Sequence, residues 1–153
     1  MVAIRQIIKL GDPLLRQQAS TVRRFGTHLN KLLDDMAETM YAAQGCGLAA
    51  PQIGISKRLA VIDDGNGLIE LVNPEIVESV GEIVEVEHCL SVPKIGGEVL
   101  RHERITVKAQ NRHGEPCEFK AEGILARIFQ HEIDHLHGRL FTDIMIREVV
   151  DEE

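Results

Sequence analysis

The sequence predicts an α+β fold, with mainly antiparallel strands packed around a central C-terminal helix that carries an HExxH motif, and a pair of helices at the N-terminal end. Three observations lead there. Apolar residues recur at helical spacing between Thr27 and Gln44, and short β-rich runs fill the interval from about Leu59 to Phe119. Helical spacing then returns from Glu122 onward. Helix, strands, helix without βα alternation is the order of an α+β domain.

Near the start, Gly11-Asp12-Pro13-Leu14-Leu15 reads as a turn opening a short helix, because proline after an aspartate cap suits the first helical position. In the next helix Leu29, Leu32, Leu33, Met36, Ala37, Met40 and Tyr41 form the apolar face, and Gly45 stands where a terminating glycine is expected. The strand region contains Leu59–Ile62, Glu82–Glu87 and Ile105–Ala109, punctuated by Asp64-Gly65, Asn73-Pro74 and His113-Gly114. In the final helix Ile124, Leu125, Ile128 and Phe129 form a stripe whose continuation reaches His131, Glu132, His135 and Leu136. No internal repeat interrupts this order, and no linker divides residues 1–153, so one domain is expected.

Composition narrows the function classes. The formal charge is −7 and no Lys/Arg run stands out, which disfavours specific nucleic-acid binding and an anionic membrane surface. The start shows neither a basic end followed by a long apolar segment nor a small-residue cleavage pattern, so neither a secretory signal nor a membrane span is expected. Cys46, Cys89 and Cys117 are odd in number, far apart and without CxxC spacing. Reduced thiols and a cytoplasmic location follow as expectations.

The chemistry concentrates in His131-Glu132-Ile133-Asp134-His135-Leu136-His137-Gly138. On a helix, residues four apart share a face, so His131 and His135 converge, with Glu132 about 100° round the axis from His131. Two imidazoles and a carboxylate can hold a divalent metal and move a proton beside it. The motif falls on the buried side of an amphipathic helix, where polar groups need partners. A catalytic metal usually takes three protein ligands. The extended form HExxHxxGxxH is matched through Gly138 but has Phe141 at the last histidine, and few residues follow for a downstream ligand helix. The third donor is therefore sought mostly upstream, with cysteine the sharpest candidate.

Three stretches, Gly45-Cys-Gly-Leu-Ala-Ala-Pro-Gln52, Glu87-His-Cys-Leu-Ser91 and the HEIDHLHG run, resemble in order and separation the three motifs of the peptide deformylases. The resemblance extends from Asp12-Pro-Leu-Leu-Arg16 to Leu140-Phe141. It implies removal of the formyl group from the initiator methionine of nascent chains, with Cys89, His131 and His135 as ligands of one divalent metal. Fe²⁺ is the implied physiological ion, with Zn²⁺, Ni²⁺ or Co²⁺ as replacements. Glu132 is the implied general base and acid as metal-bound water attacks the formyl carbon. The Gln52 side-chain amide and the Leu90 N–H are the implied oxyanion donors. Gly45 and Gly47 let the backbone approach an extended substrate, and the resemblance also implies a buried Glu87–Arg101 pair. Ile124 and Ile128 are candidates for the methionine pocket, with Cys46 at its edge. For Cys46 and Cys117 as thiols, ordinary packing is the expectation.

Two departures stand out. His88 replaces the usual glycine of the second motif, and in an extended segment it should project away from the face of Cys89. The chain also ends on Asp151-Glu152-Glu153, where many relatives carry a basic helix that docks on the ribosome. Weak, transient ribosome contact is expected, and a monomer. Asp134 is read as either a partner behind the ligands or a surface ion pair, and His137 as solvated. A zinc peptidase that cuts internal amides and a non-enzymatic metal-binding module are the competing classes.

Overall fold

The computed structural model describes residues 2–150. Asp12 caps a 3-10 helix, Pro13–Arg16, by accepting the Leu14 N–H at 3.0 Å. The first member of the expected N-terminal pair is therefore a single turn, because Gln17 has returned to extended backbone. The second, α1 (Thr27–Ala42), buries Leu29, Leu32, Leu33, Met36 and Met40. Its end differs in detail from the expectation. Gln44, not Gly45, takes the left-handed conformation (φ 58°), and the Gln44 and Gly45 N–H groups close on the Tyr41 and Met40 carbonyls at 3.0 and 2.9 Å. That is the Schellman pattern, with glutamine in the place usually held by glycine.

The strands are β1 (Gly47–Ala49), β2 (Leu59–Ile62), β3 (Ile69–Val80), β4 (Ile83–Cys89), β5 (Val92–Arg101), β6 (Arg104–Gln110), β7 (Pro116–Glu122) and β8 (Arg147–Val150). They form a five-stranded sheet of order β1-β2-β3-β6-β7 and a three-stranded sheet β4-β5-β8, all neighbours antiparallel. Asn73-Pro74, expected to punctuate, lies inside β3. There Asn73 (φ 52°) makes a bulge and its side chain bonds Val22 and Gln110. Its left-handed backbone costs energy that three side-chain hydrogen bonds offset.

The helix α2 (Gly123–Leu136) carries the HExxH residues and packs against β1, β2, β6 and β7. Ala126, Phe129, Ile133 and Leu136 hold its buried face. Phe129 is fully buried, and truncating it to alanine is worth about 3–5 kcal/mol. A third cluster, Leu15, Val92, Val99, Leu140 and Phe141, packs beside Cys89 and joins the smaller sheet to the end of α2. The motif helix thus packs on the larger sheet and reaches the smaller one through the side chains of His131, Asp134 and His135. Among the described residues, no helix is long and apolar enough to cross a membrane.

Candidate active site

Three elements deliver the site. β1 and the 3-10 helix that follows it, Ala50–Ile53, bring Gly47 and Gln52. The β4–β5 hairpin turns at Leu90-Ser91 and brings Cys89 from its last paired position. The α2 helix brings His131, Glu132 and His135, all buried. Cys89, His131 and His135 could hold a metal ion: one donor atom from each lies within 4.8 Å of the others. Cys89 Sγ is 3.3 Å from His135 Nε2.

Of the three, His131 is braced from behind. His131 Nδ1 stands 2.8 Å from Glu87 Oε1, which leaves Nε2 for the centre. Glu87 in turn accepts two hydrogen bonds from Arg101, each 2.8 Å, and Arg101 also donates to Asp134 at 2.6 Å. The expected Glu87–Arg101 pair is present, both residues 5% exposed, and Asp134 joins it. A carboxylate behind a ligating histidine fixes its ring and raises its basicity. Phe141 occupies the sequence position of the missing third histidine, and its ring stacks on that of His131 with centroids 5.9 Å apart.

The electrostatics favour a cation. Burial alone would raise the Glu87 carboxyl, but the hydrogen bonds from Arg101 and His131 outweigh it and hold the group at about 2. Burial disfavours a charged His131, yet Cys89, Glu87 and Glu132 together hold its pKa well above the ordinary value. Burial, then the charges of His131 and Arg101, push His135 down. Burial pushes Glu132 up to about 7, the range that suits a group which both takes and returns a proton. Glu132 Oε1 and His135 Nδ1 are buried without a hydrogen-bond partner. A thiol, two imidazoles and negative charge around them form a donor set that suits one divalent ion.

A cavity of about 450 Å³ opens beside this cluster. Gly45, Cys46, Gly47, Gln52, Cys89, Leu90, Ile124, Ile128, His131 and Glu132 all line it, while His135 lies fully buried behind. Ile124 is 65% exposed and Ile128 nearly buried, so the two span the mouth and the depth of an apolar wall. Arg127 and Val86 line the same cavity and were not singled out from the sequence. Arg127 sits between Ile124 and Ile128 on α2, so helical spacing was the available signal.

The glycines have local reasons to lack side chains. A Cβ on Gly47 would meet Glu132 Oε2 at 2.5 Å, and one on Gly45 would meet Leu90 Cδ1 at 2.8 Å. Gln52 is 1% exposed, its Oε1 accepting the Ala49 N–H at 2.9 Å and its Nε2 donating to Ser91 Oγ at 3.2 Å. His88 is exposed, next to the buried Glu87 and Cys89, with its ring over Gly96 of β5, and it lines the outer part of the same cavity. His137 is exposed, and the three cysteines are unpaired.

Residues 4–150 match the family model described as Polypeptide deformylase. A peptide deformylase of Carboxydothermus hydrogenoformans is 54% identical over 142 residues, 93% of each chain. The crystal structure of a peptide deformylase from Legionella pneumophila superposes with a TM-score of 0.91 at 52% identity, covering 94% of this chain and 86% of that one. One from Synechococcus elongatus, in complex with actinonin, does so with a TM-score of 0.89 at 40% identity, covering 95% and 84%. The order of motifs, the fold and these likenesses agree: the chain belongs to the polypeptide deformylase family.

Proposed function

We propose that this protein removes the N-formyl group, as formate, from the initiator methionine of nascent polypeptides, with Cys89, His131 and His135 holding one divalent metal. The convergence of three buried donors with Glu132 in one cavity is the observation that carries this reading. The metal, when bound, supplies a Lewis acid that lowers the pKa of water toward neutrality. Fe²⁺ is the proposed physiological ion; a thiolate with two imidazoles also accepts Zn²⁺, Ni²⁺ or Co²⁺.

The protein's own groups do the rest. Glu132 takes the proton of the attacking water as its oxygen bonds to the formyl carbon, then delivers that proton to the nitrogen as the C–N bond breaks. Formate and a free amino terminus leave. The Gln52 Nε2–H and the Leu90 N–H donate to the oxygen that gains charge. Ile124 and Ile128 receive the methionine side chain, with Cys46 at the rim, and the narrow backbone at Gly45 and Gly47 accepts an extended peptide.

We further propose a monomeric, cytoplasmic enzyme working as one domain over residues 1–153, with only weak ribosome contact. Residues 147–150 support the last point, since their backbone is engaged as β8 on β5. An anaerobic assay with formyl-methionyl peptides, on protein of measured metal content beside Glu132→Gln, tests the mechanism. Loss of turnover with metal retained is expected. Turnover that survives the substitution overturns it, and cleavage of internal amides in unblocked peptides favours a peptidase.

A further inference from the structure

The N-terminal stretch Ile8–Leu10 touches both places from which the proposed oxyanion donors come. The Ile8 N–H donates to the Gln52 carbonyl at 2.8 Å, and the Leu10 N–H donates to the Ser91 carbonyl, also at 2.8 Å. Lys9, between them, donates from Nζ to the Leu90 carbonyl at 3.2 Å. Gln52 follows β1 of the larger sheet, and Leu90-Ser91 is the turn of the smaller one. No strand pairing joins those sheets among the described residues, so this strap is a direct backbone tie between the two donor-bearing turns.

Inside the strap, Gln52 and Ser91 meet. Ser91 is fully buried, and its Oγ accepts one N–H of the Gln52 carboxamide. The Ala49 N–H holds the oxygen end of that amide, which decides which end faces the metal ligands. A carboxamide nitrogen has two hydrogens. With one on Ser91, the other is left near Cys89 Sγ, 3.6 Å from the nitrogen, on the side of the cavity.

We infer that Ser91, held by the Ile8–Leu10 strap, is the positioning residue that aims the Gln52 amide at the reacting oxygen. This rests on the proposed role of Gln52. Ser91 touches no reacting atom; it acts through Gln52. Removing its hydroxyl leaves the amide held by the Ala49 N–H and the long contact to Cys89 Sγ alone, so its nitrogen end is less firmly aimed, and the loss should appear in turnover rather than in substrate binding.

The test is a double-mutant cycle on metal-replete protein with a formyl-Met-Ala-Ser peptide: Ser91→Ala, Gln52→Ala and both together. Ser91→Ala is expected to lower kcat about tenfold with KM and metal content within about twofold. In the Gln52→Ala background the same change should cost nothing further. Lys9→Met, at an exposed position, should lower kcat about threefold through the strap, with Lys9→Arg restoring it. In ¹⁵N spectra the Gln52 side-chain amide should shift in Ser91→Ala. A Ser91→Ala loss that persists in full on top of Gln52→Ala, or that falls on KM or on metal content, overturns the inference alone. Unaltered turnover in Gln52→Ala overturns the oxyanion reading and this inference with it.

Discussion

Gly47 of β1 lies so close to Glu132 of α2 that a Cβ on the glycine would stand 2.5 Å from Oε2 of the carboxylate and 3.0 Å from its Cδ. The backbone of β1 is held by pairing with β2, so the carboxylate is the part that would have to move. Gly47→Ala is expected to lower kcat about a hundredfold, the scale of a misplaced catalytic group. Circular dichroism and metal content should stay at wild-type values. Wild-type turnover would mean that Glu132 has room to retreat.

Glu87 is expected to govern metal retention. Glu87→Gln weakens the support of His131 Nδ1 and leaves the buried Arg101 with Asp134 as its remaining carboxylate partner. Loss of such an outer partner costs about 10–100-fold in metal affinity. Competition titration against a chromogenic chelator reads this directly, and an unchanged affinity would remove Glu87 from the support of the centre.

Asp35 should make the N-terminal segment acid-sensitive. Burial would raise its carboxyl, but hydrogen bonds from the Ala3 N–H, Arg5 and Lys31 outweigh burial and hold it at about 2, against an ordinary 3.8. A carboxyl whose pKa falls on folding stabilises the folded state when ionised. That contribution is complete above the ordinary value and drains away as pH falls from 3.8 through about 2. Near neutrality Asp35→Asn is expected to cost about 2 kcal/mol in urea unfolding, and the gap from wild type should begin to narrow as pH falls below 3.8 and close only as it passes about 2. A gap that widens with acid would reverse the assignment.

His88→Gly should leave metal content and Glu132 untouched, because His88 is exposed at the cavity rim and is not among the clustered candidate donors Cys89, His131 and His135. A strand glycine costs about 0.5–1 kcal/mol, read as a small drop in melting temperature. Turnover within about threefold of wild type is expected; a gain of tenfold or more would show that the imidazole crowds the substrate groove.

Local pattern made much of this molecule legible. The two helices, and the convergence of His131, Glu132 and His135, depend on spacing within a few turns, and backbone geometry fixes that relation wherever the segment folds. The errors fall where distant contacts override local preference. Asn73-Pro74 reads as a break, yet Val22 and Gln110 satisfy its side chain and make it a bulge inside β3. Gly45 reads as the helix terminator, but Gln44 takes that conformation, and Leu90 accounts for the glycine.

Spacing and order along the chain are enough for a helix motif suited to a metal, an upstream cysteine and the family that their order indicates. How these parts support one another depends on contacts between segments far apart in the chain. Phe141, the residue that excluded a third histidine, stacks on His131. Asp134 completes the ion pair behind that ligand, and Ser91 meets Gln52 across two sheets. Such contacts join residues 33 or more positions apart for the last two. No periodicity encodes them, because they arise from the packing of whole elements, whose relative placement is set by burial summed over the core.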